Sequence, residues 1–213
     1  DRSVSRGLGD VYKRQVDDND NIRIIGEMPK YVGRGGLKLE KALSHYRLHL
    51  DGSVCIDIGA STGGFTDCML QNGAVKVYSV DVGTDQLDEK LRNDPRVVSM
   101  EKTDIRNCVG ALPAVDFIGI DVSFISLKLV LPSAYALLKD GGECVALIKP
   151  QFEAGKSHLS KHGIVRDSKV HKKVCDDISE FASTLGFERG EVISSPITGG
   201  DGNTEYLIYL RRL

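Results

Sequence analysis

VCIDIGASTGGF (residues 54–65) is the stretch on which the fold turns. A short β-prone run passes through a carboxylate into a glycine-rich turn that leads into a helix. Working outward, VKVYSV (75–80), VVSM (97–100), VDFIGID (115–121) and ECVALIK (143–149) repeat the theme as short runs, most of them apolar along their whole length. Such runs suit parallel strands covered on both faces, and the segments between them are long enough for crossover helices. Two further candidates, FERGEVIS (187–194) and EYLIYLRRL (205–213), are joined by a glycine-rich loop with no room for a crossover helix, so they pair antiparallel. The reading is an α/β fold: a doubly wound, mostly parallel seven-stranded sheet whose last strand is antiparallel.

The flanks add two helices. From Gly35, Leu37, Leu39, Ala42, Leu43 and Tyr46 share one broad face, with Lys38 and Lys41 expected to point elsewhere. From Asp167, a plausible N-cap, Val170, Val174, Ile178, Phe181 and Leu185 recur at helical spacing up to Gly186. Residues 1–15 show neither periodicity and read as a disordered or non-native leader. Residues 16–32 hold one strand-like piece, IRII (22–25), between turn signals. The remainder, 33–213, is of a size for one domain.

Disorder and collagen are excluded by 41% hydrophobic residues and ordinary charge content. No apolar run approaches the roughly 18 residues of a membrane span, and the first thirty residues lack the apolar core of a signal peptide, which places the chain in the cytoplasm. The five cysteines, Cys55, Cys68, Cys108, Cys144 and Cys175, are widely spaced without a CxxC pair and read as buried small hydrophobes, not as a disulfide framework or a zinc site. His158 and His162 have no companion cysteine, so no metal site is expected.

The turn itself is not GxGxxG, and no GK[ST] follows it, so a dinucleotide-phosphate cradle and a P-loop are both disfavoured. Acids nevertheless recur in register. Asp57, Asp81, Asp104 and Asp121 sit at or just beyond the ends of four successive strands, where parallel sheets bind nucleotides. Asp81 stands where an acidic residue reaches a ribose diol. An acidic cleft of this kind suits a ligand with positive or neutral groups, such as S-adenosylmethionine, better than a string of phosphates.

GRGGLKLEKAL (33–43), IDIGASTGGF (56–65), IDVSFISL (120–127), ALIKPQFE (146–153) and GDGNTEYL (200–207) together resemble the TlyA haemolysin family of S-adenosylmethionine-dependent ribose 2′-O-methyltransferases, a branch of the FtsJ-like enzymes. The resemblance covers about residues 16–213. It implies the Rossmann-like methyltransferase variant of the doubly wound sheet and a catalytic tetrad of Lys38, Asp121, Lys149 and Glu205. A ribose hydroxyl is a very weak acid, so a base that receives its proton and groups that hold in-line geometry explain these residue types. Lys149 is the candidate base, Asp121 would orient it and the methyl donor, and Lys38 and Glu205 would position the hydroxyl. The resemblance further implies cofactor contacts from Asp57, Gly59, Ala60, Ser61, Thr62 and Gly63 to the methionine moiety, from Asp81 to the ribose and from Asp104 to the adenine region.

The family begins with a small RNA-binding module, of which NIRII and the linker GEMPKYV are the apparent remnant here. The implied partner is ribosomal RNA or a ribosomal subunit, with cytidine as the implied nucleotide. Arg34, and Lys156, Lys161 and Arg166 from a basic run that also holds Lys169, Lys172 and Lys173, are expected at its phosphates. A small-molecule O-methyltransferase would share the cofactor site without needing the basic loop. The haemolysin name raises a membrane-active reading, against which no strongly amphipathic cationic helix is found. The net charge of −2 does not oppose RNA, because residues 30–47 hold five basic side chains against one acidic and residues 149–173 seven against two. Glycines likewise concentrate at 33–36, 59–64 and 199–202, beside Lys38, the cofactor turn and Glu205.

Overall fold

The computed structural model describes residues 29–200 and 202–213. The leader at 1–15 and the IRII strand lie outside them, as does all of the 16–32 segment before Pro29. All seven strand candidates form strands of one sheet. β1 (Val54–Ile58) lies between β2 (Lys76–Val80) and β4 (Val115–Ile120), parallel to both. β3 (Val97–Met100) extends the sheet beyond β2, and β5 (Leu138–Ile148) extends it beyond β4, again in parallel. β7 (Tyr206–Arg212) then inserts antiparallel between β5 and the edge strand β6 (Phe187–Ser194), giving the order β3-β2-β1-β4-β5-β7-β6.

Period-two alternation divides the sheet between two apolar layers. Cys144, Ala146 and Ile148 of β5 face the cluster completed by α4 (Leu127–Leu137) and α6 (Ser168–Thr184). Val145 and Leu147 face the opposite cluster, covered by α1 (Gly35–Tyr46), α2 (Gly64–Gln71) and Leu91 of the one-turn α3 (Glu89–Arg92). Both faces of the central strands are therefore buried, which is why those strands read as unbroken apolar runs. Removing a side chain such as Leu39, which is wholly buried, would cost about 2–5 kcal/mol. Tyr31 belongs to this second core although it falls in the linker before residue 33, and its neighbour Val32 donates its N–H to buried Asp67.

Three expectations are corrected. Full crossover helices do not fill every gap: α3 is a single turn, and β3 and β4 are linked through a 3₁₀ turn at Ile105–Asn107. β5 starts five residues before the expected ECVALIK, with an irregularity between Val115 and Phe117 of the partner strand and Gly141 at φ +76°. On α1, Leu37 is 40% exposed whereas Lys38 is 8% exposed, the reverse of the apolar-face reading. Apolar spacing alone would turn a lysine outward. Here two carboxylates contributed from elsewhere compensate the buried charge. The α6 expectation holds in detail, since Asp167 accepts from the Lys169 N–H and Gly186 follows at φ +98°.

Candidate active site

The carboxyl ends of β1, β2, β4 and β5 open onto two adjoining cavities. β1 ends in Gly59 at φ +85°, where an added Cβ would lie 2.4 Å from the Asp121 carbonyl oxygen, so the turn is pressed directly against the end of β4. Gly64 plays the matching role toward α1: a Cβ there would lie 2.8 Å from the Gly36 nitrogen. With no side chain between them, the N-termini of α1 and α2 touch, and that contact carries Lys38 to the sheet.

The first cavity, about 350 Å³, is lined by Arg34, Lys38, the turn residues Gly59–Thr62 and Gly64, and by Asp121, Lys149 and Glu205. The four tetrad candidates, spread over 168 positions of sequence, meet here. Lys149 Nζ is 2.6 Å from Asp121 Oδ1 and donates to Ser123 Oγ at 2.9 Å. Lys38 Nζ is 2.8 Å from Glu205 Oε2 and donates to Asp121 Oδ2 at 3.4 Å. The two shorter contacts are ion pairs set off the hydrogen-bond axis. Lys38 and Lys149 are each 8% exposed and Glu205 3%, so these charges interact with far less solvent screening than surface pairs.

The second cavity, about 340 Å³, shares Gly59, Ser61, Asp121, Ser123 and Phe124 with the first and extends past Asp81, Gly83, Thr103, Asp104 and Ile105. Asp81 is fastened by two backbone donors, Ser61 N–H at 2.8 Å and Gly83 N–H at 2.7 Å. Asp104 also reaches this cavity, but both its oxygens bind Arg106, whose guanidinium holds the carboxyl below the usual carboxylate range.

Two proposed cofactor contacts do not reach the cavities. Asp57 is wholly buried and lines neither; its Oδ2 accepts from the Thr66 N–H at 2.9 Å and Thr66 Oγ1 at 2.7 Å, pinning the start of α2. Burial pushes its carboxyl up to about 7, opposed by the Thr66 bonds and reinforced by the nearby charges of Asp121 and Asp81. Gly63 is turned away as well: the space where its Cβ would lie is filled by Leu91 and Leu87. Gly59–Thr62 and Gly64 face the first cavity while Asp57 and Gly63 face the core, so the motif does not act as one contiguous ligand surface.

Other site features went unread in the sequence. Phe124 is 91% exposed at φ +62°, a backbone region costly for a bulky residue, and its ring lies 4.9 Å from that of Phe152. Its loop is tied down by Glu153, which accepts from Ser126 Oγ at 2.6 Å and from the Leu127 N–H at 2.8 Å. The visible signal was SF, separated from the strand-end Asp121 by Val122 alone. Of the basic residues, Arg34 is on the cavity rim, while Lys156, Lys161 and Arg166 are exposed on the segment between α5 (Pro150–Glu153) and α6 and do not line the cavity. Lys172 and Lys173 pair with Asp176 and Asp177 one turn along α6, so they belong to a solvated helix face. Among the described residues no group of side chains could hold a metal ion, and no helix is long and apolar enough to cross a membrane.

The FtsJ-like methyltransferase family matches residues 31–212. YqxC of Bacillus subtilis is 50% identical over 201 residues, covering 92% of this chain and 71% of that protein. The protein of Mycobacterium tuberculosis named 16S/23S rRNA (cytidine-2′-O)-methyltransferase TlyA is 39% identical over 202 residues, covering 92% and 74%. A solved structure from Streptococcus thermophilus superposes with a TM-score of 0.84 at 52% identity, covering 88% of this chain and 69% of that one.

Proposed function

Because the chain belongs to the FtsJ-like methyltransferase family, we propose that it transfers a methyl group from S-adenosylmethionine to a ribose 2′-hydroxyl of ribosomal RNA, with cytidine as the target. The observation that carries this reading is the Glu205–Lys38–Asp121–Lys149 network in the wall of the first cavity, with Asp121 reaching the second as well. The relative from Mycobacterium tuberculosis, named for cytidine 2′-O-methylation, supports the same substrate.

The residues present suit the cofactor. A second cavity of about 340 Å³ carries Asp81 and, among the described residues, no lysine or arginine in its wall, which suits a nucleoside bearing cationic groups and disfavours a diphosphate. Gly59–Thr62 and Gly64 would hold the methionine end, Asp81 the ribose, and Asp104 the rim of the adenine region. S-adenosylmethionine, when bound, supplies an electrophilic sulfonium methyl.

The rest is work for the chain's own side chains. A neutral lysine amine has two protons and one lone pair. Lys149 Nζ donates to Ser123 Oγ and lies beside Asp121 Oδ1, contacts that hold the amine in place and leave its lone pair, in the neutral form, for the 2′-hydroxyl proton. Lys38 faces two carboxylates, Asp121 and Glu205, and would fix both. The exposed Phe124 ring, tilted against that of Phe152, offers a platform for an unstacked base. Arg34, Lys156, Lys161 and Arg166 are the proposed phosphate contacts, with residues 33–213 as the methyltransferase domain.

Lys149→Ala tests the reading. Methylation of ribosomal subunits, mapped at 2′-O-methyl positions, falls about 10²–10⁴-fold while S-adenosylmethionine affinity is retained. Unaltered turnover would remove Lys149 from the reaction, and transfer to a small alcohol in preference to RNA would replace the substrate.

A further inference from the structure

The segment Gly155–Arg166, which carries Lys156, Lys161 and Arg166, is held by a side chain two positions before Glu205. Asn203 is 3% exposed and both ends of its amide engage that segment. Its Oδ1 accepts from the Val165 N–H at 3.2 Å, and its Nδ2 donates to the Gly163 carbonyl at 3.2 Å. On the far side of the same residue, the Val165 carbonyl lies 2.9 Å from His171 Nε2, whose Nδ1 lies 2.8 Å from the Tyr206 hydroxyl. Val165 itself is buried. Backbone, amide and imidazole therefore grip the one fully buried residue of a mostly exposed loop, and two of the groups in the grip, Asn203 and Tyr206, flank Glu205 in sequence.

The connection continues into the active cavity. The Asn203 carbonyl accepts from the Gly199 N–H at 2.9 Å, and Gly199 lines the first cavity against Glu205, where an added Cβ would lie 2.6 Å from Oε1. The Glu205 carbonyl in turn accepts from Ser195 at 2.9 Å. The loop's own internal bonds are local, Ser160 N–H to Ile164 O and Gly163 N–H to Ser160 O at 2.9 Å, Ile164 N–H to Ser160 Oγ at 3.1 Å, and His158 N–H to Gly155 O and Leu159 N–H to Lys156 O at 3.2 Å, so they shape turns without fixing where the loop sits. Its position relative to the site is set by Asn203 and His171.

We propose that Asn203 is a positioning residue that holds the basic loop in register with the Lys38–Glu205 pair, so that an RNA backbone lying on the loop is seated with its ribose at Lys149. This rests on the RNA-methylation reading. An amide is required because the loop backbone presents one donor and one acceptor at this point. A carboxylate at position 203 would set a second acceptor against the Gly163 carbonyl. A loop that occupies its seated position one-tenth of the time would raise the apparent KM for RNA about tenfold without changing the cofactor site.

The experiment compares the unaltered chain with Asn203→Asp and with Tyr206→Phe, the latter removing only the hydroxyl behind His171. Tryptic cleavage after Lys156 and Lys161 reads the clamp without reference to activity, and steady-state methyl transfer to ribosomal subunits reads its consequence. Expected for Asn203→Asp are cleavage faster by about tenfold, KM for RNA higher by about tenfold, kcat within about threefold and S-adenosylmethionine affinity unchanged, with a smaller change of the same sign for Tyr206→Phe. Arg166→Ala should then cost less in the Asn203→Asp background than alone, because the loop it acts from is already displaced. Unchanged cleavage in both variants overturns the clamp. Faster cleavage with unchanged KM, or a loss confined to kcat, overturns the seating role. No transfer to RNA by the unaltered chain overturns the RNA reading, and the seating role with it, while the cleavage result still reports on the clamp.

Discussion

Replacing Asp57 by Asn tests the burial of a carboxylate under the cofactor turn. In the folded chain burial raises this carboxyl from 3.8 to about 7. The folded state therefore holds a proton that the unfolded chain has released, and between those two values stability falls as pH rises. Below about pH 4 both states are protonated and the group contributes nothing. Above about pH 7 both are ionised, and the folded state carries the full penalty, about 4 kcal/mol at 1.36 kcal/mol per unit. Asparagine keeps an oxygen for the two Thr66 donors and has no charge to bury. Its amide nitrogen takes the place of Oδ1, which has no hydrogen-bond partner, at a cost of about 1–3 kcal/mol. Asp57→Asn is thus less stable than the unaltered chain at pH 4, equal to it near pH 5–6 and more stable at pH 8. The chain has no tryptophan, so urea unfolding is followed by far-ultraviolet circular dichroism at fixed ionic strength. At about 2 kcal/mol per molar urea, the midpoint difference between the two proteins moves by about 2 M across that range. A difference that stays flat from pH 4 to pH 8 would refute the buried, charge-penalised Asp57.

Three further outcomes follow from the site. Gly59→Ala places a Cβ 2.4 Å from the Asp121 carbonyl at φ +85°; a loss of about 2–3 kcal/mol or more, about 4–12 °C in thermal midpoint, is expected by calorimetry together with weakened cofactor binding. Phe124→Ala relieves a strained, exposed residue; stability is unchanged or slightly higher while KM for RNA rises about tenfold, through loss of about 1–3 kcal/mol of stacking on the base, measured by filter binding and turnover. If Arg34, Lys156, Lys161 and Arg166 each meet one phosphate, raising salt from 50 to 200 mM weakens RNA binding about 50-fold, whereas a small neutral substrate would show almost no change.

The strands were legible because burial on both faces leaves a continuous apolar run, as in Cys144–Ile148 of β5 and Tyr206–Leu210 of β7, and their direction from whether the connections had room for a crossover. The long helix α6 was legible from its cap, its spacing and Gly186. Lys38 was not. Local periodicity judged it by the faces of one helix, whereas its burial is decided by Asp121 and Glu205, 83 and 167 positions away. Asp57 and Gly63 failed for a related reason: a motif quoted as a unit hides which of its residues face the cavity and which face the core. For Phe124 the SF dipeptide did not show how the ring would sit, since a positive φ in an aromatic residue is imposed by surroundings such as the Glu153 ties and not by its own preferences.

Sequence alone determined the α/β class, the two glycine-lined ends of the site and, through resemblance, the identities of four charged residues. Those are properties of composition and spacing, which the chain carries before it folds. Only the tertiary structure decided that one carboxylate, Asp121, serves both lysines, that Asp57 is core, and that Asn203 binds the basic loop. Each depends on desolvation or on bonds between groups dozens of residues apart, and neither exists until the sheet has brought those groups together.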